Sequence, residues 1–154
     1  MIKSMKKTSV LVVALMMLLS LTVAYATNVP ANITIYKDGA TTTTSATSMS
    51  NKAIVPGSQE LDVTGDIATL TFKTQTFYKW FIPGNMISLS VDFNGDGNYT
   101  AASFSGDTVT INFPASELED GNNFYPAKVK SDVVGITIPT SNVEFCITKN
   151  NQQN

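Results

Sequence analysis

The sequence contains no histidine and no arginine, and its one cysteine is Cys146. Each absence removes chemistry. Without histidine there is no Ser-His-Asp triad, no HExxH zinc site and no imidazole-ligated metal. A single thiol forms no internal disulfide and no thiolate cluster for zinc or iron–sulfur, so the fold depends on packing. Lack of the guanidinium fork argues against bidentate phosphate recognition. No Gly-rich phosphate loop, internal repeat or heptad pattern is present. A glycosidase-type carboxylate pair is formally open, with Glu117, Glu119, Asp120 and Glu144 at hand. Nothing in their spacing places two of them at a cleft, and they read as solvated surface acids. The chain reads as a non-enzyme.

Long apolar runs are scarce too. The one present, Val10 to Val23, follows Lys3, Lys6 and Lys7 and precedes Ala24-Tyr25-Ala26. Basic, apolar and small segments in that order make a secretory signal peptide, with an uncut membrane anchor as the alternative for so long a run. Residues 1–26 are therefore expected to be removed, leaving one domain over residues 27–150 and a polar tail at 151–154. Cys146 lies too far along to be a lipid-attachment cysteine. Removal of the signal leaves seven lysines against twelve acids. So acidic a chain has no electrostatic footprint for nucleic acid or anionic lipid. The expected location is secreted, extracellular or cell-surface associated, with no membrane contact in the mature form.

What is present is alternation. Ile87, Leu89, Val91 and Phe93 alternate with polar residues, as do Val109, Ile111 and Phe113. A period of two puts each set on one face of a strand. Asn94-Gly95-Asp96-Gly97 and Ser105-Gly106-Asp107 supply turns, so the stretch from Ile87 to Pro114 reads as an antiparallel meander. Further strands are expected at Asn32–Tyr36, Glu60–Val63, Ile67–Lys73 and around Val143, Phe145 and Ile147. A strand bent or bulged at Gly135 and one helical turn from Pro114 to Gly121, capped by Ser116 and Glu119, complete the pattern. The fold class is all-β, an antiparallel sandwich of about eight short strands.

Three stretches carry candidate chemistry. Thr41 to Ser50 is a hydroxyl-rich loop whose one large apolar residue is Met49. Such a composition favours a surface loop or a short helical turn. Thr76 to Ile82 packs Phe77, Tyr78, Trp80 and Phe81 into an extended segment that breaks at Pro83-Gly84-Asn85. With aromatics on both faces, one face is either core or the lining of a cleft. Asp92, Asn94 and Asp96 occupy positions 1, 3 and 5 of a calcium-loop pattern with Gly97 at position 6. Ser103 stands at position 12, where the full loop needs a glutamate, so a plain hairpin turn is the competing reading.

Ser48-Met49, Leu61 to Phe72 (LDVTGDIATLTF) and Thr108 to Leu118 (TVTINFPASEL) together resemble the NEAT domain. That resemblance spans most of residues 32–148 and implies an immunoglobulin-like sandwich of Gram-positive cell surfaces. It implies binding of haem, or of a haem-carrying protein, for iron acquisition. Ser48 matches the serine that meets haem in that family, and Met49 follows it. The family's YxxxY pair has no counterpart in Ile136 to Phe145, so the resemblance leaves Met49 as the candidate iron ligand. The candidate haem residues are Ser48, Met49, Tyr78 and Trp80. The alternative is a structural or adhesive surface domain that binds a cell-surface protein, stabilised by calcium if the Asp92 loop holds the ion. The secreted form is expected to begin at Thr27, which N-terminal sequencing of protein from the culture medium checks; a full-length chain confined to membranes is the contrary result.

Overall fold

The computed structural model describes residues 26–150. The signal expected at 1–26 lies, apart from Ala26, outside the described residues, as does the tail at 151–154. The chain begins with β1 (Thr27–Val29) and β2 (Ala31–Lys37), then makes a 3-10 turn at Met49–Ala53. Two hairpins follow: β3 (Glu60–Thr64) with β4 (Ile67–Lys73), and β5 (Phe77–Lys79) with β6 (Ile82–Val91). Next come β7 (Thr100–Ala101), β8 (Ser103–Ser105) and β9 (Thr108–Pro114), and a second 3-10 turn at Ala115–Glu117. The long β10 (Gly121–Val133), then β11 (Ile136–Thr137) and β12 (Ser141–Lys149), complete the fold.

Every named pairing is antiparallel. One sheet runs β1-β3-β4-β9-β8 and the other β2-β12-β10-β6-β5, with β7 on β6 and β11 on β10. The two make an immunoglobulin-like sandwich. Its core follows the alternation. Ala68, Leu70 and Phe72 of β4 and Val109, Ile111 and Phe113 of β9 are buried, facing Ile33, Ile35, Val143, Phe145 and Ile147. Phe72 and Phe145 meet across the sandwich with ring centroids 6.5 Å apart. Burying each such side chain contributes about 1.5–3 kcal/mol. Among the described residues, no helix is long and apolar enough to cross a membrane.

Several local expectations change. The stretch from Ile87 to Pro114 is no meander: β6 belongs to one sheet and β9 to the other, and the chain crosses between them at β7 and β8. Ile87 does not share the buried face of Leu89, because the register of β6 on β10 shifts and leaves Ile87 43% exposed while Met86 turns inward. A bulge of this kind reverses which residues face the core. The segment from Thr76 turns at Trp80-Phe81, earlier than expected, and Pro83-Gly84-Asn85 lies within β6. Gly135 sits in a two-residue turn between β10 and β11, not in a bulged strand. The turn after β9 is a three-residue 3-10 turn without a side-chain cap, so the expected Ser116–Glu119 box is not formed. Cys146 is buried as expected, on the far face of β12 with Tyr36, Ala40 and Phe124, and burial pushes its thiol pKa up. Phe145→Ala is expected to cost about 3–5 kcal/mol of stability in denaturant unfolding, the typical loss for a fully buried ring.

Candidate functional site

The 3-10 turn that carries Met49 is pinned on two sides. Asn51 Oδ1 accepts the Ile35 N–H at 2.8 Å, and the Ser48 N–H donates to the Ile35 carbonyl at 2.8 Å. The Gln75 N–H donates to the Ala53 carbonyl at 2.7 Å. Ser48 is the N-cap, its hydroxyl accepting from the Ser50 N–H at 3.4 Å. The polar loop thus ends in a fixed pedestal with Met49 partly exposed on it.

Opposite stands the β5–β6 hairpin. Phe77 is buried and pairs with Gly84, where an added Cβ would stand 2.8 Å from the ring. The missing side chain lets the Phe77 ring lie across β6. Lys79 pairs with Ile82, so only Trp80 and Phe81 form the turn, with φ of 53° and 68°. Positive φ at both central positions is the type I′ pattern, which normally uses Asn-Gly. An L-residue there costs about 1–2 kcal/mol. Both aromatics are nonetheless exposed, Trp80 at 84% and Phe81 at 95%. Beside this tip stands a second one. Val134 (φ 54°) and Gly135 turn β10 into β11, and the Val134 N–H donates to the Pro83 carbonyl at 3.3 Å. A β-branched residue at positive φ is a genuine outlier. Strained, exposed apolar residues at two adjacent tips point to a functional end of the molecule.

Between the turn and the tips lies an open pocket of about 510 Å³. Its apolar walls are Met49, Phe77, Trp80, Ile82, Val133 and Ile138. Lys79, Ser131 and Ser141 supply its polar groups. Small-molecule sites commonly span about 300–1,000 Å³ with this balance of apolar wall and few polar groups. A second groove, by Thr76 and Asn85, is more polar, and the Thr76 hydroxyl already donates to Asn85 Oδ1 at 2.7 Å.

Of the four residues singled out for haem, Met49 and Trp80 line the pocket. Ser48 stands behind Met49 and shapes its turn. Tyr78, between Phe77 and Lys79, is exposed and outside the lining, as alternation along β5 dictates. Sequence reading did not assign Lys79, Ser131, Val133, Ile138 and Ser141 to a site. Their signal was the two-residue turn at Val134-Gly135, which carries weak turn chemistry.

The Asp92 loop lies at the other end of β6 and is a self-contained turn. Asp92 is 3% exposed; its Oδ1 accepts the Gly95 N–H at 2.9 Å and its Oδ2 the Gly97 N–H at 2.8 Å. Asp96 accepts from the Asn98 side chain at 2.9 Å and its backbone N–H at 2.8 Å, and these bonds hold its carboxyl below its ordinary pKa. The calcium expectation for Asp92, Asn94 and Asp96 is therefore not supported, because the carboxylate oxygens that would ligate the ion bond the turn's own N–H groups. No group of three or more acidic or thiol side chains is placed to hold a metal among the described residues.

No family model and no curated protein matches the chain. Among solved structures it is similar to the NEAT5 domain of IsdX2, a B. anthracis hemophore in complex with heme. The identity is 16% and the TM-score 0.48, over 85% of this chain and 99% of that one. The NEAT domain is also the family that the sequence resembles.

Three measurements check this geometry. Replacing Trp80 by Asn together with Phe81 by Gly is expected to raise stability by about 1–2 kcal/mol, since the strain goes and little packing is lost. Asp92→Ala is expected to lower it by about 3–6 kcal/mol, because it removes two hydrogen bonds to a charged group, each worth about 1.5–3 kcal/mol. Thermal melting of the wild-type protein is expected to be the same in EDTA and in calcium.

Proposed function

We propose that this chain is a secreted, extracellular or surface-associated binding module whose pocket takes haem, delivered free or from a haem-carrying protein. What carries the proposal is the chemistry of the pocket lining. Flat apolar walls, including Phe77 and Trp80, suit a planar macrocycle. The Met49 thioether is an acceptable haem iron ligand. The Lys79 ammonium suits a propionate carboxylate. These residues fit the group without the tyrosine pair of the resembled family. In this reading Ser48 is a positioning residue that sets the turn bearing Met49, Trp80 is a wall, and Tyr78 stands outside the site. The basic and apolar segment before Thr27 supports secretion.

A second reading, an adhesive domain that binds a cell-surface protein, is favoured by one observation. Phe81, Val134 and Ile136 extend the apolar surface beyond the pocket.

Titration of the purified protein with haemin, followed by visible absorption, tests the first reading. The expected result is saturable binding at one haem per chain with a shifted Soret band. Met49→Ala is expected to weaken binding about tenfold, which is about 1.4 kcal/mol, and to alter the spectrum. Its melting temperature is expected to stay near wild type, because Met49 is 38% exposed. Tyr78→Phe is expected to bind as the wild type does. A haemin spectrum unchanged by wild-type protein overturns the haem reading and leaves the adhesive one.

A further inference from the structure

We infer that the pocket discriminates between the oxidation states of haem iron, holding ferrous haem more tightly than ferric haem. This rests on the haem reading above and concerns the donors that the fold brings to that site. Ferric iron favours hard or anionic donors such as tyrosinate, whereas a neutral, polarisable thioether stabilises the reduced state and raises the potential of the haem that it ligates.

Among the described residues, no anionic donor lines the pocket. Histidine is absent from the sequence. Tyr36 is buried beside Cys146 and Phe124 on the far face of the second sheet. Tyr78 projects from the face of β5 opposite Phe77 and Lys79. Tyr99 lies under the Lys128 ammonium, 3.9 Å from ring centroid to nitrogen. Tyr125 donates its hydroxyl to the Glu117 carbonyl at the other end of the sandwich. Asp132 falls between Ser131 and Val133, whose side chains line the pocket, so alternation sends its carboxylate elsewhere. Of the polar lining groups, the serine hydroxyls are neutral and the Lys79 ammonium has no lone pair. Met49 is the soft, polarisable donor of the lining.

One further effect acts in the same direction. The iron of ferric haem carries one more positive charge, and an apolar wall disfavours burying it. Both states are thus held by the walls, by Lys79 on a propionate and by the Met49 sulfur, and the sulfur bond is the stronger to ferrous iron.

The chain's one tryptophan, Trp80, lines the pocket and reports occupancy directly by fluorescence quenching. The test titrates the full mature protein in three arms: haemin in air, haem held ferrous by excess dithionite under argon, and iron-free protoporphyrin IX. Ferrous haem is expected to bind at least tenfold more tightly than haemin. By linkage, each tenfold raises the potential of the bound haem by about 59 mV relative to free haem, which spectroelectrochemistry reads independently. Met49→Leu keeps an apolar side chain of similar volume and removes the sulfur. It is expected to collapse the gap to less than threefold and to leave protoporphyrin binding within twofold. Equal affinities in the two states, or a gap that survives Met49→Leu, overturns the inference. Quenching by protoporphyrin without a gap defeats the inference alone; failure of all three arms to quench Trp80 defeats the haem reading beneath it.

Discussion

The backbone pairing of β10 is the constraint on which the rest depends. Its thirteen residues pair with β12 from Gly121 to Val129 and with β6 from Ala127 to Val133, and its last two also pair with β11. A strand flanked on both edges has its buried N–H and C=O groups satisfied, so it can run through the core without penalty. The first half carries Tyr125, Ala127 and Val129 into that core, and the second half carries Ser131 and Val133 to the pocket. The register shift near Ser131 divides the two. It turns Met86 and Gly84 inward on β6, and an inward Gly84 is what lets Phe77 lie flat as the pocket floor. Packing at the centre and recognition at the end are thus consequences of one ladder with one irregularity in it.

The core was legible in the sequence because it is written in a period of two. Leu70, Phe72, Val109, Ile111, Phe145 and Ile147 all stand where alternation puts them. Allocation of strands to sheets was not legible, since β6 and β9 show the same pattern and differ only in their partners. Ile87 was misread for a related reason: a bulge leaves composition intact and reverses facing. Of the site, Met49 stood out as a large apolar residue that a loop core did not explain, and Trp80 as part of an aromatic segment that read as core or as the lining of a cleft. The rest was hidden by turn chemistry. Trp80-Phe81 and Val134-Gly135 do not look like two-residue hairpin turns, so the lining that the second hairpin brings remained unassigned.

Those same turns show where the fold departs from local preference. Elsewhere the sharp bends use glycine at positive φ, as at Gly65 and Gly106. At the pocket end alone among the described residues, the positive-φ positions are taken by Trp80, Phe81 and Val134. Large exposed apolar side chains in strained conformations are unfavourable on two counts, and a stability-driven sequence would replace them. Their presence beside an apolar cavity is therefore a property of the site, and the rigid ladder behind them supplies the stability that tolerates it.

The hydrogen bond from the Asn150 N–H to the Pro30 carbonyl, at 2.9 Å, ties the last described residue to the residue just before β2. They meet beside Gly121, where β12 finishes against the start of β10. The pocket borders Ser141, at the opposite end of the same nine-residue strand, roughly 25 Å away at the usual rise per residue. A linker, a neighbouring domain or a solid support joined after Asn150 therefore hangs from the base of the sandwich. Immobilised there, the domain would present its mouth outward, away from the point of attachment.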